Sequence, residues 1–355
     1  MSSVSVVIPC YMYGHFLEEC AASVLEDQPG VDVRVLIIDD ASPDDSAEVA
    51  NQIAARDPRV EVVVHRANRG NIATFNEGLL EWAEGDACLL LSADDRVTPG
   101  ALRRAADLLD ANPRVGFVYG HALWCIEGAP PPRARTAVRG WSVWPGARWL
   151  EHRFRQAENP IISPEIIVRT SLQQRVGGYD PQLPKAADME MYMRLAANAD
   201  VGFLRGADQA YYRVHGQNMS ASVSALMDLR QRRAVFEFVL DRYGHSLSDT
   251  SRLSEMVHRQ LSREALWAAA RVYDREPLWQ HELARRVLGA QANHEGHEVD
   301  ELADFAVECW PEIKRVPLYQ TLESRRRVGV RGLAYMLNQK GQWWLRRRSW
   351  KYRGF

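Results

Sequence analysis

The sequence predicts an α/β fold with a mainly parallel central sheet, followed by an α-helical C-terminal region. Two patterns carry this. From Val4 to Tyr119, short apolar runs rich in β-branched residues alternate with segments of helical period, as strands joined by crossover helices do. From about Ala225 to Trp310 the pattern is almost wholly helical, with few prolines. A chain of 355 residues, 46% of them apolar, is large enough for one or two packed cores.

Val4 to Ile8 reads as the first strand. Phe16, Cys20 and Val24 then recur at a spacing of four with Leu17 and Leu25 beside them, a helix that Pro29-Gly30 is expected to close. Strands follow at Arg34 to Ile38, Val60 to Val64, Ala87 to Leu91 and Gly116 to Tyr119, with helices at about Ser46 to Arg56 and Ala73 to Trp82. Between Glu127 and Gly140 a Pro- and Arg-rich stretch breaks the pattern and reads as a sub-domain boundary. The organisation expected is 1–125, 126–222, a helical region at 223–323 and a basic aromatic tail at 324–355.

Composition excludes several classes. Five scattered cysteines without a CxxC pair read as buried free thiols rather than a zinc or redox centre. Met1 to Cys10 has no basic segment leading into an apolar run, and no stretch approaches the roughly 18 apolar residues of a membrane span, so a cytoplasmic chain is expected. The net charge of −2 conceals an asymmetry, because the tail from Ser324 holds Lys and Arg but no Asp or Glu. Its interleaved Trp and Arg, as in Trp343-Trp344-Leu345-Arg346, suit either an anionic membrane surface or docking on the acidic body. That acidic body argues against nucleic acid as a partner. His294-Glu295-Gly296-His297 lacks HExxH spacing and reads as a solvated loop.

In an open parallel sheet, ligands sit beyond the carboxyl ends of the strands. Here those ends are acidic: Asp39-Asp40 follows the second strand and Asp94-Asp95 the fourth. Carboxylates gathered at one edge repel unless a cation or donors neutralise them, and hard oxygen ligands suit Mg²⁺ or Mn²⁺. Mg²⁺ takes few protein carboxylates and completes its shell with phosphate oxygens, which points to a diphosphate. A helix N-cap is the competing role for Asp39, Asp40 and Ser42.

Val-Val-Ile-Pro-Cys-Tyr at 6 to 11, Ile-Ile-Asp-Asp-Ala-Ser-Pro-Asp at 37 to 44, Asn-Arg-Gly at 68 to 70 and Leu-Ser-Ala-Asp-Asp at 91 to 95 resemble, in order and spacing, the family 2 glycosyltransferases of the GT-A fold. The resemblance runs from about Val4 to Ser220. It implies a GT-A type αβα sandwich and an inverting transfer of sugar from a UDP-, GDP- or dTDP-sugar. The acceptor would be a glycan, a lipid-linked intermediate or a small molecule. Pro9 and Tyr11 would then line the nucleotide site, with Asp40 bonded to the base, Asp39 as its neighbour or substitute, and Arg69 approaching the diphosphate.

In the DxD-type segment Ser92 stands where an Asp is commoner, leaving Asp94 for the ribose or metal and Asp95 for the metal. Val176-Gly177-Gly178-Tyr179-Asp180 and Asp188-Met189-Glu190 resemble the acceptor side, where Asp188 would be the catalytic base, with a helix cap as its other role and Glu190 as the alternative base. Tyr211 to Ser220 resembles the closing segment, in which His215 would meet the metal or diphosphate. The helical remainder is expected to cover the acceptor site or form a homodimer. A sugar nucleotidyltransferase is the competing enzyme, but no Gly-rich basic loop follows the first strand; a binding scaffold without turnover is the non-enzymatic reading.

Overall fold

The computed structural model describes residues 3–183, 186–218, 224–275 and 293–323. Its main sheet has eight strands in the order β3-β2-β1-β4-β9-β6-β10-β8. The first four, β1 (Ser3–Cys10), β2 (Asp32–Asp39), β3 (Val60–Val64) and β4 (Ala87–Leu90), are mutually parallel neighbours. The runs of Val, Ile and Leu in β1, β2 and β4 are largely buried on both faces, as a parallel sheet between helices requires, while β3 at the sheet edge is only partly covered. Helices α1 (Gly14–Leu25) and α2 (Ser46–Arg56) follow β1 and β2. The first ends ahead of Pro29-Gly30, because Asp27 adopts a left-handed φ of 50° and turns the chain.

The helix expected at Ala73 to Trp82 begins earlier, as α3 (Asn71–Asn76), and continues as a π-helical turn, Glu77–Trp82. Gly78 lies in that turn where a Cβ would stand 2.3 Å from Val7 Cγ1, so only glycine lets the widened turn rest on β1. Beyond β4 come β5 (Arg96–Val97), α4 (Ala101–Ala111), β6 (Val115–Tyr119) and β7 (Ala122–Ile126). β8 (Gly140–Trp144) forms the antiparallel edge, and β9 (Ile167–Arg169) enters antiparallel between β4 and β6. After α5 (Gly146–Gln156), α6 (Thr170–Val176) and α7 (Ala187–Asn198), β10 (Asp200–Arg205) pairs parallel with β6. A second, three-stranded sheet is ordered β5-β11-β7, with β11 at Ala210–Val214.

The Pro- and Arg-rich stretch joins β7 to β8 as a strap. Arg135 grips buried Asp208 through its main-chain N–H at 2.8 Å and Nε at 2.9 Å, and Arg139 N–H donates to the Arg205 carbonyl at 2.7 Å. Among the described residues the chain forms two compact units, one of 3–150 with 159–218, the other of 151–158 with 224–275 and 293–323. The second unit is helical: α8 (Ala225–Tyr243) and α10 (Asn293–Cys309) pack on α9 (Thr250–Arg275). The segment expected to be a loop at His294–His297 begins α10 instead. All five cysteines are buried and free. No described helix is long and apolar enough to cross a membrane, and the basic tail lies outside the described residues.

Candidate active site

Because β2, β1 and β4 run parallel side by side, their carboxyl ends deliver three acidic or aromatic segments to one sheet edge. Cys10 pairs with Asp39 across β1 and β2, and Leu91 N–H donates to the Val7 carbonyl at 2.9 Å. Tyr11, 45% exposed, projects just after β1 and the Pro9 position. Met12 (φ 60°) and Ala41 (φ 58°) hold left-handed backbone on the two neighbouring loops, a strain that must be fixed by bonding. Ser42 supplies it: its Oγ accepts from Met12 N–H at 2.9 Å while its own N–H donates to Asp39 Oδ2 at 3.1 Å. These acids are not helix caps, since Asp45 occupies the cap position of α2.

Asp39 is 1% exposed, and its Oδ1 has no partner among the described residues. Asp40 is committed to the loop after β3. Its Oδ1 accepts from Arg69 N–H at 2.8 Å and lies 2.7 Å from His65 Nδ1, and its Oδ2 accepts from Gly70 N–H at 2.9 Å. Burial alone would push this carboxyl up, but the His65 ring and the two N–H groups hold it below the usual carboxylate range. His65 Nε2 lies 3.1 Å from Glu77 in the π turn, and Glu77 also pairs with Arg69, whose side chain is 52% exposed. The free acceptor of the Asp39-Asp40 pair is therefore Asp39 Oδ1.

At the end of β4, Asp94 is 7% exposed and Asp95 is buried. Asp94 Oδ2 lies 3.0 Å from His215 Nε2, and its Oδ1 has no partner among the described residues. Asp95 Oδ1 accepts from Arg213 N–H at 2.9 Å. Burial, with the adjacent Asp94 charge, pushes the Asp95 carboxyl well above its ordinary range, partly offset by Arg213. The main-chain carbonyl of Ser92 closes the turn by accepting Asp95 N–H at 2.9 Å, a bond independent of the side chain at that position.

Four residues of this site carried no signal of their own in the sequence. Tyr13 donates its hydroxyl to the Gln217 carbonyl at 3.1 Å, and burial with the charges of Asp94 and Asp95 pushes it up to about 12. Asn218 accepts His215 N–H at 2.6 Å, shaping the turn that presents the imidazole. His65 and Glu77 hold the Arg69 loop. Position immediately after a strand could have flagged His65, but nothing flags a lone Glu inside a helix.

Asp188 is the second residue of α7, whose cap position is Ala186, so it does not cap the helix. It is half-buried, and desolvation pushes its carboxyl up to about 6. Its charge helps to push up the buried hydroxyls of Tyr179 and Tyr192, after burial itself. Glu190 is instead fully buried and held by Arg194 at 2.9 and 2.7 Å, which ties it to a structural pair.

Among the described residues no three His, Cys, Asp or Glu side chains are arranged to enclose an ion. Asp94 and His215 nevertheless make a fitting two-ligand donor set. A carboxylate oxygen and an imidazole nitrogen are both ligands that such ions accept, and Asp94 Oδ2 and His215 Nε2 lie 3.0 Å apart, joined here by a hydrogen bond that an ion would replace. The unpartnered Asp94 Oδ1 is the second observation in favour of a cation here.

Residues 5–171 match the model of glycosyl transferase family 2. The chain carries a family 2 glycosyltransferase domain. The uncharacterized glycosyltransferase alr2836 of Nostoc sp. is 27% identical over 226 residues, which are 62% of this chain and 68% of that protein. In two other relatives the match spans 31% and 21% of the whole protein. Among solved structures, residues 1–349 of TarS from S. aureus, in complex with UDP-GlcNAc, superpose on this glycosyltransferase with a TM-score of 0.61 at 16% identity. That superposition covers 92% of this chain and 93% of that one. The mannosyltransferase PcManGT from Pyrobaculum calidifontis, in complex with GDP-Man and Mn²⁺, gives 0.51 at 17% identity over 87% of each. These likenesses speak for the fold, and the glycosyltransferase has the GT-A architecture that its sequence motifs implied.

Proposed function

We infer that the protein transfers a sugar from a nucleoside-diphosphate sugar to an acceptor hydroxyl or amine, by a single displacement that inverts the anomeric centre. The observation that carries this is the pairing of two environments. One is a partly buried carboxyl, Asp188, held near 6; the other is an acidic strand edge with unpartnered oxygens on Asp39 and Asp94. A general base works best when its pKa lies just below the working pH, so that it is ionised yet still basic. UDP-GlcNAc and GDP-Man, bound by TarS and PcManGT, support a nucleotide-sugar donor for this chain.

In this reading Tyr11 lies against the base, Asp39 Oδ1 accepts from it or from the ribose, and Arg69 turns toward the diphosphate. Asp94 and His215 would hold Mg²⁺ or Mn²⁺, with Asp95 beside them; the Mn²⁺ bound by PcManGT supports the choice of ion. A bound ion would offset the charge that develops on the departing diphosphate. Asp188 takes the proton of the acceptor as its oxygen or nitrogen forms a bond to the anomeric carbon. The bond from that carbon to the phosphate oxygen breaks at the same time, and its electron pair leaves with the diphosphate. The family match argues against the nucleotidyltransferase reading.

The test is to incubate the protein with UDP-, GDP- and dTDP-sugars and Mn²⁺, follow nucleoside diphosphate release, and read the anomer of the freed sugar by NMR. One donor class should be turned over with inversion, and Asp188→Asn should abolish it. Retention of configuration, or full turnover by the Asp188 variant, would contradict the mechanism.

A further inference from the structure

Arg213 is the point where the two segments that build the ion-binding pair are fastened together. Its main-chain N–H donates to Asp95 Oδ1 at 2.9 Å, and its Nε donates to the Asp94 carbonyl at 2.8 Å. Its own carbonyl accepts from Asn218 Nδ2 at 3.1 Å, and Asn218 in turn accepts the His215 N–H. The guanidinium stacks over the Phe16 ring at 4.5 Å, and the centre of that ring lies 5.3 Å from that of His215. The far end of the guanidinium pairs with Glu19, which Arg96 also engages. One residue thus holds the Asp94-Asp95 turn through Nε and its own N–H, and the His215 turn through its carbonyl.

We propose that Arg213 is a positioning residue, which keeps the Asp94 carboxylate and the His215 imidazole at the separation needed to receive a divalent ion and the donor diphosphate. The inference rests on the glycosyltransferase reading above and adds to it a residue that touches neither donor nor acceptor. Two adjacent buried carboxylates repel, and an Asp94 free to turn would move away from Asp95. A planar guanidinium can stack on Phe16, pair with Glu19 and bond the Asp94 carbonyl together, whereas a lysine ammonium offers a point charge without that fork. Holding first-contact groups through a supporting layer is what sets ion affinity at such sites.

Arg104 supplies the structural contrast. It also joins the segment after β5 to the start of β11, through Thr98 Oγ1 at 2.7 Å, the Asp208 carbonyl at 2.9 Å and Gln209 Oε1 at 2.9 Å, but has no bond to Asp94 or Asp95. The experiment uses the full chain as wild type, Arg213→Ala, Arg213→Lys and Arg104→Lys. Uptake of Mn²⁺ in the presence of UDP, GDP or dTDP is read from the loss of the free-ion EPR signal, alongside Tm.

Both variants keep the two main-chain bonds; Arg213→Ala, which loses the Nε bond, the stacking and the charge, should weaken Mn²⁺ uptake at least tenfold, and Arg213→Lys, which keeps the cation, about threefold. Arg104→Lys should lower Tm with Mn²⁺ affinity within twofold of wild type. Should Arg213→Ala not fold, the lysine variant decides. Wild-type uptake matched within twofold by the Arg213 variants would overturn the positioning role alone, as would an equal loss in Arg104→Lys. No uptake by the wild type with any of the three nucleotides would overturn the glycosyltransferase reading of this site and the positioning role with it.

Discussion

Asp188→Asn should separate catalysis from stability, in opposite directions. Desolvation raises this carboxyl from 3.8 to about 6. At about 1.4 kcal/mol per unit, the folded state carries up to about 3 kcal/mol of penalty for holding the ionised form; because the side chain is only half-buried, about 2 kcal/mol is the fairer expectation. The sign follows from proton linkage. Between pH 4 and 6 the folded protein binds the proton more tightly than the unfolded chain, so stability falls as pH rises through that window. Above about 6 the penalty is complete, and below about 4 it vanishes because both states are protonated.

The neutral amide escapes this penalty. Thermal unfolding at pH 7.5 should therefore place Asp188→Asn a few degrees above wild type, at roughly 2–4 °C per kcal/mol for a unit of this size, and the two should converge near pH 4. In wild type, kcat/KM should drop about tenfold per pH unit below 6 as the base is protonated. At pH 7.5 the variant should lose activity by at least about a hundredfold, and the gap should narrow in acid as the wild-type base is itself protonated. Equal or lower stability of the variant at pH 7.5, with no convergence in acid, would refute the desolvation argument. An acid limb still falling with unchanged slope in a fully active variant would refute the assignment of Asp188 as base.

Other outcomes follow from the same geometry. Asp40→Asn places an amide N–H where the loop presents N–H groups, and should cost about 2–3 kcal/mol and raise the donor KM. Because the Asp40 carboxyl is held below its ordinary 3.8, its contribution is present above about pH 4 and is lost as the pH falls through its lowered range, so the difference between wild type and variant in urea unfolding should shrink progressively in acid. Gly146→Ala would put a Cβ 1.8 Å from the Ala196 carbonyl oxygen, a main-chain atom that cannot turn aside. It should cost more than the roughly 1–3 kcal/mol of ordinary overpacking, read as a drop in Tm.

How much of this was legible in the sequence varied with the kind of signal. β1, β2 and β4 were readable because buried parallel strands need runs of Val, Ile and Leu, and the acids that follow β2 and β4 fall at the sheet edge by topology alone; β3, at the edge of the sheet, showed as a Val-rich run. β9 was not, since three residues leave no period to detect, yet its antiparallel entry places β6 and β10 in the main sheet. Asp94 and His215 were both expected at an ion, and the structure brings them to 3.0 Å. The commitment of Asp40 to Arg69 and Gly70 could not be read, because its partners are main-chain N–H groups that no side chain marks. Arg213 was hidden for a related reason: its site contacts are with a carbonyl, a carboxylate and an amide, on segments far apart in sequence.

The central claim is that the edge formed by Tyr11, Asp39 and Asp94 binds a nucleoside diphosphate with a divalent ion. Thermal stabilisation of the full chain by UDP, GDP and dTDP, each with and without Mn²⁺, tests it most directly, because a ligand selective for the folded state raises apparent stability by mass action. The account predicts a shift for one base, larger with Mn²⁺ and lost in Asp94→Asn. No shift with any nucleotide, or one that Mn²⁺ and Asp94→Asn leave unchanged, would contradict it.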